Sequence, residues 1–568
     1  MPVAKAFIDA RDALLERRTD FDAARRDFSW PRMEYFNWAL DYFDFVAKGN
    51  SHPALLVVDD FSGNHTFTFS AISNRSSQLA NFLADQGVVR GDRILIMLSN
   101  VAPLWEAMLA SIKLGAVIVP ATTMLEGDEL RDRMERGNIK AVFTHASLTD
   151  KFSAISSAPV RIAVGDCVPQ GWLDYELSRT SSAQFAASTP TRADELLLLY
   201  FTSGTTARPK LVAHTHASYP IGHLSTMYWL GVQPGDVHLN LSSPGWAKHA
   251  WSCFFAPWSA QAAVVAYNYS RFDARALLDH LVRCEVTTFC APPTVWRFLI
   301  QQDLSNWRVA IREAVSAGEP LNPEVISRVR DAWGLTIRDG FGQTETTALV
   351  GNPPGQRVKP GSMGRPLPGC PVILLDDRSE RADEGEICID MQSNPCALLR
   401  EYLDDPNLTA WAMRDGFYHT GDVASLDDDG FLTYIGRLDD VFKSSDYRIS
   451  PFELESVLIE HPAVIEAAVV PSPDEMRLAV PKAFVVLAAG YESNSAVAES
   501  LLLHVRSRVS PFKRIRRIEF GSLPKTISGK IRRVDLRTVE KTRPAGFSRR
   551  PLEYWEEDFP SLNGGKGS

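Results

Sequence analysis

Apolar and polar positions change period repeatedly along this chain. "PALLVVDD" is a short apolar run, "SNRSSQLANFLADQGV" spaces its apolar residues three and four apart, and "DRILIMLSN" is again continuous. Short apolar runs bounded by polar turns predict buried strands, and the 3.6-residue spacing between them predicts a helix. "PLWEAMLASIKLGA" then reads as helix and "VIVPATT" as strand. Further on, "ARALLDHLVRCEV", "TTFCAPP" and "NPEVISRVRDAWG" repeat the sequence helix, strand, helix. This is a βαβ rhythm, which implies parallel sheets covered by helices. The opening "MPVAKAFIDARDALLERR" reads as an amphipathic helix with no apolar core of a secretory signal.

The texture changes after about residue 365. "CPVILLD", "GEICID" and "GFLTYIGR" are short strands separated by Asp- and Gly-rich turns. After Arg437 a new unit starts. "SPFELESVLIEHP" has the Ser-Pro start of a helix, "VIEAAVVPS" and "PKAFVVLAAG" read as strands, "SNSAVAESLLLHVRSRV" as helix and "IRRIEFG" as strand. The expected architecture is α/β. Residues 1–437 form a large N-terminal domain of parallel sheets, with a helical lead-in over about 1–50 and a β-barrel-like subdomain over about 365–437. Residues 438–545 form a small, mobile α+β domain, and 546–568 a tail.

A length of 568 residues agrees with more than one core. A hydrophobic share of 45% with 23% charged residues is the balance of a soluble globular protein. Lys+Arg 60 against Asp+Glu 69 gives a net charge of −9, which disfavours nucleic acid as a partner. No run is long and apolar enough to predict a membrane span. The seven cysteines are odd in number and form no C-x-x-C pair, so a disulfide framework or zinc site is not expected and a reducing cytoplasm is. A homodimer is compatible with everything in the sequence.

Four stretches carry candidate chemistry. "YFTSGTTARPK" follows the apolar run "ELLLLY" and packs hydroxyls around Gly204 before Lys210. Backbone N–H groups, hydroxyls and a lysine make a phosphate cradle; a hydroxyl-rich hairpin turn is the other reading. It is not a Walker A loop, because Pro209 precedes the lysine and "LVAHTH" continues extended rather than helical. In "IRDGFGQTETTALV", Thr344 and Glu345 suit a Mg²⁺ ion bridging to phosphate, or else the first turn of a helix. In "YHTGDVASLDDDGFLTYIGRLDD", Asp422 suits two ribose hydroxyls, with Arg437 adding charge near the same nucleotide, or else Asp422 caps a β-turn; Asp427, Asp428 and Asp429 read as a plain turn. In "LPKTISGKIRRVDLR", Lys530 stands in a flexible turn as a deliverable positive charge, or in a solvated basic segment.

Together these stretches are far more specific. "FTSGTTARPK", "SAGEP", "DGFGQTE", "YHTGD", "GRLDD" and "PKTISGK" occur in the order of the adenylate-forming superfamily, which the chain resembles over about residues 30–540. "ASYPIGH", "PGWAKHAWSCFFAPW" and "SSDYRISPFELESVLIEHPAV" resemble its medium-chain acyl-CoA synthetases. The resemblance implies two half-reactions: a carboxylate attacks the α-phosphate of ATP, and a thiol, usually of CoA, then displaces AMP. It implies that Thr202, Ser203, Gly204, Thr205, Thr206 and Lys210 surround the departing phosphates. Gly318, Glu319 and Pro320 line the adenine pocket beside Asp339, Gly340, Phe341, Gly342 and Gln343. Thr344 touches the α-phosphate, Glu345 the Mg²⁺, Asp422 and Arg437 the ribose side, and Lys530 both reacting anions. Asp439 is the implied hinge. Ser445, Asp446, Tyr447, Arg448, Arg477 and Arg506 are implied for CoA. Trp246 and Gly342 are implied for the acyl pocket, with Trp251 and Phe341 as further candidates. Gly342 stands where acetate-specific relatives carry tryptophan, so an open slot and a larger acid, medium-chain or aromatic, are expected. Lys248 and His249 receive no catalytic role.

Two positions depart from the family pattern. Ala207 replaces a glycine in the phosphate loop, and Asp446 replaces the glycine of "SSGYR" beside the expected thiol tunnel. A carboxylate there keeps two alternatives open: a ligase that loads a separate carrier protein, and an inactive nucleotide- or acyl-binding relative.

Overall fold

A computed structural model describes residues 4–59, 63–155, 160–202, 209–444, 447–474, 478–525, 531–543 and 549–562. It divides into two compact units. The first comprises Met1–Val372, Ile389–Tyr418 and Gly430–Leu432, and the second Ile373–Cys388, His419–Asp429 and Thr433–Ser568. The β-rich stretch expected as a subdomain is shared between the units: 373–388, 419–429 and 433–437 group with the C-terminal residues, and 365–372, 389–418 and 430–432 with the first unit.

The first unit holds two sheets. The larger runs Arg365–Pro366, Ala348–Gly351, Arg338–Gly342, Glu313–Ala317, Thr288–Ala291, Val237–Asn240, Ala263–Asn268, Pro53–Asp59 and Gly63–Thr68 in spatial order. Its six inner strands are parallel and its edges antiparallel. The other runs Glu401–Tyr402, Lys210–Thr215, Leu196–Thr202, Val117–Pro120, Arg93–Met97, Ile139–His145, Val160–Val164 and Leu173–Asp174. The βαβ rhythm is thus realised where the sequence placed it, with helices at Phe69–Asp85, Ala102–Leu114, Ala274–Arg283 and Pro323–Trp333. Ala102–Leu114 is buried almost all round, as a helix apolar on every face should be. Its two buried charges are paired: Lys113 Nζ lies 2.7 Å from Asp44, and Glu106 accepts from the Tyr175 hydroxyl.

In the second unit, and mainly within it, Val372–Leu375, Glu384–Asp390, Phe417–Leu426 and Leu432–Arg437 form a four-stranded sheet in that order. The barrel-like expectation reduces to this sheet. A short hairpin, Phe442–Ser444 with Tyr447–Ile449, precedes the helix Pro451–Ile459. Ser450 caps that helix by accepting from the Glu453 N–H at 3.1 Å, as the Ser-Pro start predicts. Helices Ser495–Arg506 and Arg533–Lys541 accompany a sheet of Val464–Asp474, Leu478–Leu487, Arg517–Phe520 and Glu553–Trp555. Lys482 is fully buried there and meets Glu519, Glu540 and Glu553 within 2.9 Å. All seven cysteines are free thiols. Among the described residues no helix is long and apolar enough to cross a membrane.

Candidate active site

The apolar run before the first motif becomes the strand Leu196–Thr202, antiparallel to Lys210–Thr215, and the pairing ends at Thr202 opposite Lys210. The phosphate-loop candidate is therefore the connection of a hairpin, so its two readings coincide in geometry. Ser203, Gly204, Thr205, Thr206 and Ala207 lie outside the described residues. Lys210 opens the second strand, which explains why no helix follows it. Its Nζ lies 5.2 Å from the ring centroid of Tyr402, within cation–π range. Tyr402 stands on the neighbouring strand, opposite Val212.

The second motif is a turn, not a helix start. It leaves the strand Arg338–Gly342 and closes with the Gln343 N–H donating to Thr346 Oγ1 at 2.9 Å and the Thr346 N–H to the Gln343 carbonyl at 3.2 Å. Three buried side chains hold it. His214 Nε2 donates to the Thr344 carbonyl at 2.7 Å, the Tyr402 hydroxyl to Glu345 Oε1 at 3.0 Å, and the Tyr418 hydroxyl to Gln343 Oε1 at 3.0 Å. Burial lowers the His214 pKa to about 4, so the ring is neutral, and a proton on Nε2 leaves Nδ1 to accept from Ser218 at 3.2 Å. Thr344 and Glu345 themselves are half-buried. Glu345 is a hard oxygen donor, the kind of ligand Mg²⁺ takes.

Beside this turn, the strand Glu313–Ala317 ends at an exposed Gly318 with φ +109°, a left-handed value that favours glycine. Glu319 follows, 3.6 Å from Arg297 and accepting from Thr294 at 3.3 Å, and Pro320 is half-buried. Asp339 is buried beneath them and accepts from the Gly340 N–H at 2.9 Å and the Leu321 N–H at 3.3 Å. Burial raises its pKa to about 7 despite those two donors. Lys248 Nζ donates to the Ala317 carbonyl at 2.9 Å, and His249 is buried with its ring beside Trp105.

The acyl side corrects one expectation. Gly342 does not leave an open slot. A Cβ built there would lie 2.3 Å from the Thr347 carbonyl oxygen and 2.5 Å from Trp251 Cη2. Glycine is required because Trp251 already fills the space. Trp251 belongs to a π-helical turn, Trp251–Phe255, set between the short helices Ala247–Ala250 and Ala256–Ser259, and its Nε1 donates to the Tyr219 hydroxyl at 3.0 Å. Trp246 precedes the first of these helices and is half-buried, as is Phe341.

In the second unit Asp422 is buried at the middle of the strand Phe417–Leu426. Its Oδ1 accepts from the Tyr434 hydroxyl at 2.9 Å and its Oδ2 from Arg437 at 3.1 Å. Glu386 braces the same strand, accepting from the Gly421 N–H at 2.8 Å with its other oxygen 2.8 Å from His419 Nδ1. Cys388 Sγ lies 3.5 Å from that nitrogen. The Asp429 N–H donates to Asp427 Oδ1 at 3.0 Å, the plain turn expected of that stretch. Asp439 is exposed in a turn, 3.7 Å from Arg437 and from Arg537. Arg506 is engaged within its own unit, donating to the Leu562 carbonyl and lying 3.2 Å from Glu556.

The sequence profile of the AMP-binding enzyme family matches residues 43–403, and that of the AMP-binding enzyme C-terminal domain matches 453–530. The chain belongs to the AMP-binding enzyme family. It is 36% identical over 559 residues to the mitochondrial acyl-coenzyme A synthetase ACSM3 of Mus musculus, covering 95% of this chain and 96% of that one. It is 42% identical over 522 residues to 4-hydroxybutyrate–CoA ligase 1 of Metallosphaera sedula, covering 89% and 91%. Among solved structures, the anthranilate CoA ligase AuaEII in complex with anthranoyl-AMP aligns with a TM-score of 0.83 at 27% identity, over 90% of this chain and 98% of that one. The family's members at this similarity are AMP-forming acid–thiol ligases, and so is this enzyme: ATP activates a carboxylic acid, and the acyl group passes to CoA.

The structure brings together, in the first unit, Lys210, Glu345 and Tyr402, and places Asp339 beneath the Gly318–Pro320 turn. Lys530, Ser445, Asp446 and Arg477 lie outside the described residues, and Tyr447 and Arg448 stand on the short hairpin. Sequence reasoning missed His214, Tyr402, Tyr418 and Tyr434. Tyr418 opens the "YHTGD" motif and Tyr434 lies in the same stretch, a signal that could have found both; His214 and Tyr402 act through a ring nitrogen and a hydroxyl outside every family motif quoted above.

Proposed function

We propose that the acid this enzyme activates is a medium-chain, aromatic or other bulky carboxylic acid. The support is anthranilate, the aromatic acid named for one solved relative, and not Gly342, whose slot Trp251 fills; 4-hydroxybutyrate, named for another relative, is a shorter acid for the panel below. Lys210 and the loop before it hold the β- and γ-phosphates. Thr344 touches the α-phosphate, and the turn Gly318–Pro320 with Asp339 to Gln343 lies along the adenine. Glu345 would hold a Mg²⁺ ion, which would supply charge neutralisation to the phosphates. Asp422 takes the ribose hydroxyls, with Arg437 and Tyr434 fixing its carboxylate. The observation that carries the phosphate assignment is that Lys210 and Glu345, from motifs far apart in sequence, meet on one tyrosine.

Adenylation brings two anions together, and their repulsion opposes the near-attack geometry. Lys530 contacts both and offsets it. The attacking carboxylate is already ionised at neutral pH, so no general base is needed. The domain boundary falls at residue 437, and Asp439 is the pivot about which residues 438–545 exchange a lysine-in pose for a thiol-delivering one. Ser445 to Arg448 and Arg477 face CoA in the second pose. Arg506 is the weakest of the CoA assignments, since Glu556 and the Leu562 carbonyl already occupy its guanidinium. We place the enzyme in the cytoplasm; the seven free cysteines fit any reducing compartment, and cell fractionation tests the choice against the mitochondrial location in the relatives' names.

The test is ATP–pyrophosphate exchange across a panel of carboxylic acids, repeated with CoA and thioester detection. Exchange with a medium-chain or aromatic acid and CoA-dependent thioester is expected. Exchange without thioester would favour loading of a carrier protein instead. Absence of exchange with every acid would leave a non-catalytic binder.

A further inference from the structure

We propose that Tyr402 is a positioning residue that couples the phosphate-binding lysine to the metal-binding carboxylate. The proposal rests on the assignment of Lys210 and Glu345 above. Tyr402 is buried, with 3% of its surface exposed, and two of its faces point at two different motif residues. Its hydroxyl donates to Glu345 Oε1 at 3.0 Å. Its ring face lies 5.2 Å from Lys210 Nζ.

The backbone around it is fixed on both sides. Leu398 bridges to Thr346, the Leu399 N–H donates to the Glu345 carbonyl at 2.7 Å, and the Arg400 N–H to the Ala213 carbonyl at 2.8 Å. Tyr402 pairs with Val212, its own N–H donates to Thr409 Oγ1 at 3.0 Å, and the Leu403 N–H donates to the Leu211 carbonyl at 2.9 Å. Residues 398–403 are thus a splint between the Glu345 turn and the strand that begins at Lys210.

The chemistry follows from what a phenol offers. The O–H can only donate to a carboxylate, so it fixes the rotation of Glu345 and leaves that oxygen's second lone pair and the other oxygen for a cation. The ring quadrupole attracts an ammonium without neutralising it, so Lys210 is oriented yet keeps its full charge for phosphate. Hydrogen-bond partners of metal ligands tune metal affinity by about 10–100-fold when removed. A tyrosine supplies both effects from one rigid side chain. Tyr402 itself touches no substrate in this assignment.

Two variants separate the functions. Tyr402→Phe keeps the buried ring and its face toward Lys210 but removes the donor to Glu345. Tyr402→Leu removes both. ATP binding is measured by calorimetry on the full chain, once in excess EDTA and once across a Mg²⁺ titration, with Mn²⁺ paramagnetic resonance as a direct metal readout. Tyr402→Phe should bind metal-free ATP as the parent does, while its apparent Mg²⁺ and Mn²⁺ constants rise about tenfold. Tyr402→Leu should also weaken metal-free ATP binding, by about threefold or more.

Tyr402→Phe with parental melting and parental Mg²⁺ dependence would overturn the proposal while Glu345→Gln, run in parallel, shows impaired metal binding. Parental metal binding by Glu345→Gln would instead overturn the metal assignment, and this proposal with it. Tyr402→Phe is the deciding variant because that exchange preserves the buried volume.

Discussion

Gly342→Ala is the substitution for which the structure gives the most definite expectation. One methyl group is added to a strand that is half-buried at this point. The new Cβ would sit 2.3 Å from the Thr347 carbonyl oxygen and 2.5 Å from Trp251 Cη2, about 1 Å inside the ~3.5 Å at which two carbons begin to attract. Neither neighbour yields cheaply. The carbonyl is backbone, next to Ala348, which pairs with Gly342 across the sheet. The indole is 6% exposed and tethered to the Tyr219 hydroxyl. Overpacking of this kind costs about 1–3 kcal/mol, and tearing the indole from Tyr219 about 1 kcal/mol more. A loss of about 2–4 kcal/mol is therefore expected.

Relief by bending the strand would also move the Gln343–Glu345 turn, and a displacement near 1 Å at reacting groups costs about 10²-fold in rate. Thermal unfolding and pyrophosphate exchange are the paired assays. Trp251→Phe, added to Gly342→Ala, removes the indole contact but not the carbonyl contact, so it should recover part of the lost stability and not all. A Gly342→Ala enzyme with parental melting and exchange would show that the site gives way freely and that the packing argument is wrong.

Lys530→Ala should lower pyrophosphate exchange by about 10²-fold or more while ATP still binds by calorimetry; persistent exchange removes the role given to the lysine. Asp446→Gly should raise CoA turnover with pyrophosphate exchange unchanged if its carboxylate obstructs the thiol, and an unchanged CoA rate ends that concern. Stability should fall as pH drops below 6.5. His214, His216 and His238 are buried with pKa values lowered to about 4 and His249 to about 3, all by desolvation, so unfolding takes up protons that the native state refuses. At about 1.36 kcal/mol per pKa unit, each costs the fold up to about 3 kcal/mol as pH falls from 6.5 to 4. Asp339 acts in the opposite sense. With its pKa raised to about 7 by burial, it stabilises the fold below the ordinary carboxylate range and loses that contribution as pH rises through 7. Asp339→Asn should therefore steepen the fall in melting temperature between pH 7 and pH 5; a flat profile in the parent enzyme would refute the histidine argument.

Much of this was legible in the chain itself. The period of the apolar residues placed the strands Pro53–Asp59, Arg93–Met97 and Val117–Pro120 and the helices between them, because a buried strand and a two-faced helix each impose their own spacing on the sequence. The Ser-Pro cap at Ser450 was equally local. Motif order pointed to adenylate chemistry through the chain's resemblance to the adenylate-forming superfamily, while residue types alone left each motif with a second reading.

What the sequence by itself determined, then, was the elements, the alternation that makes the sheets parallel and the motifs that place the chain in its family. Tertiary structure alone decided who touches whom. Gly342 was read as an empty slot because its neighbour Trp251 is 91 positions away in the numbering and arrives there only through a π-helical turn. Tyr402 carried no signal, since its hydroxyl and ring act on Glu345 and Lys210 from a two-residue strand whose place at the sheet edge is set by long-range pairing with Val212 and Ala213. Periodicity records how a segment meets the core. It holds no record of which distant side chain stands across from it, and that is where the site's geometry was made.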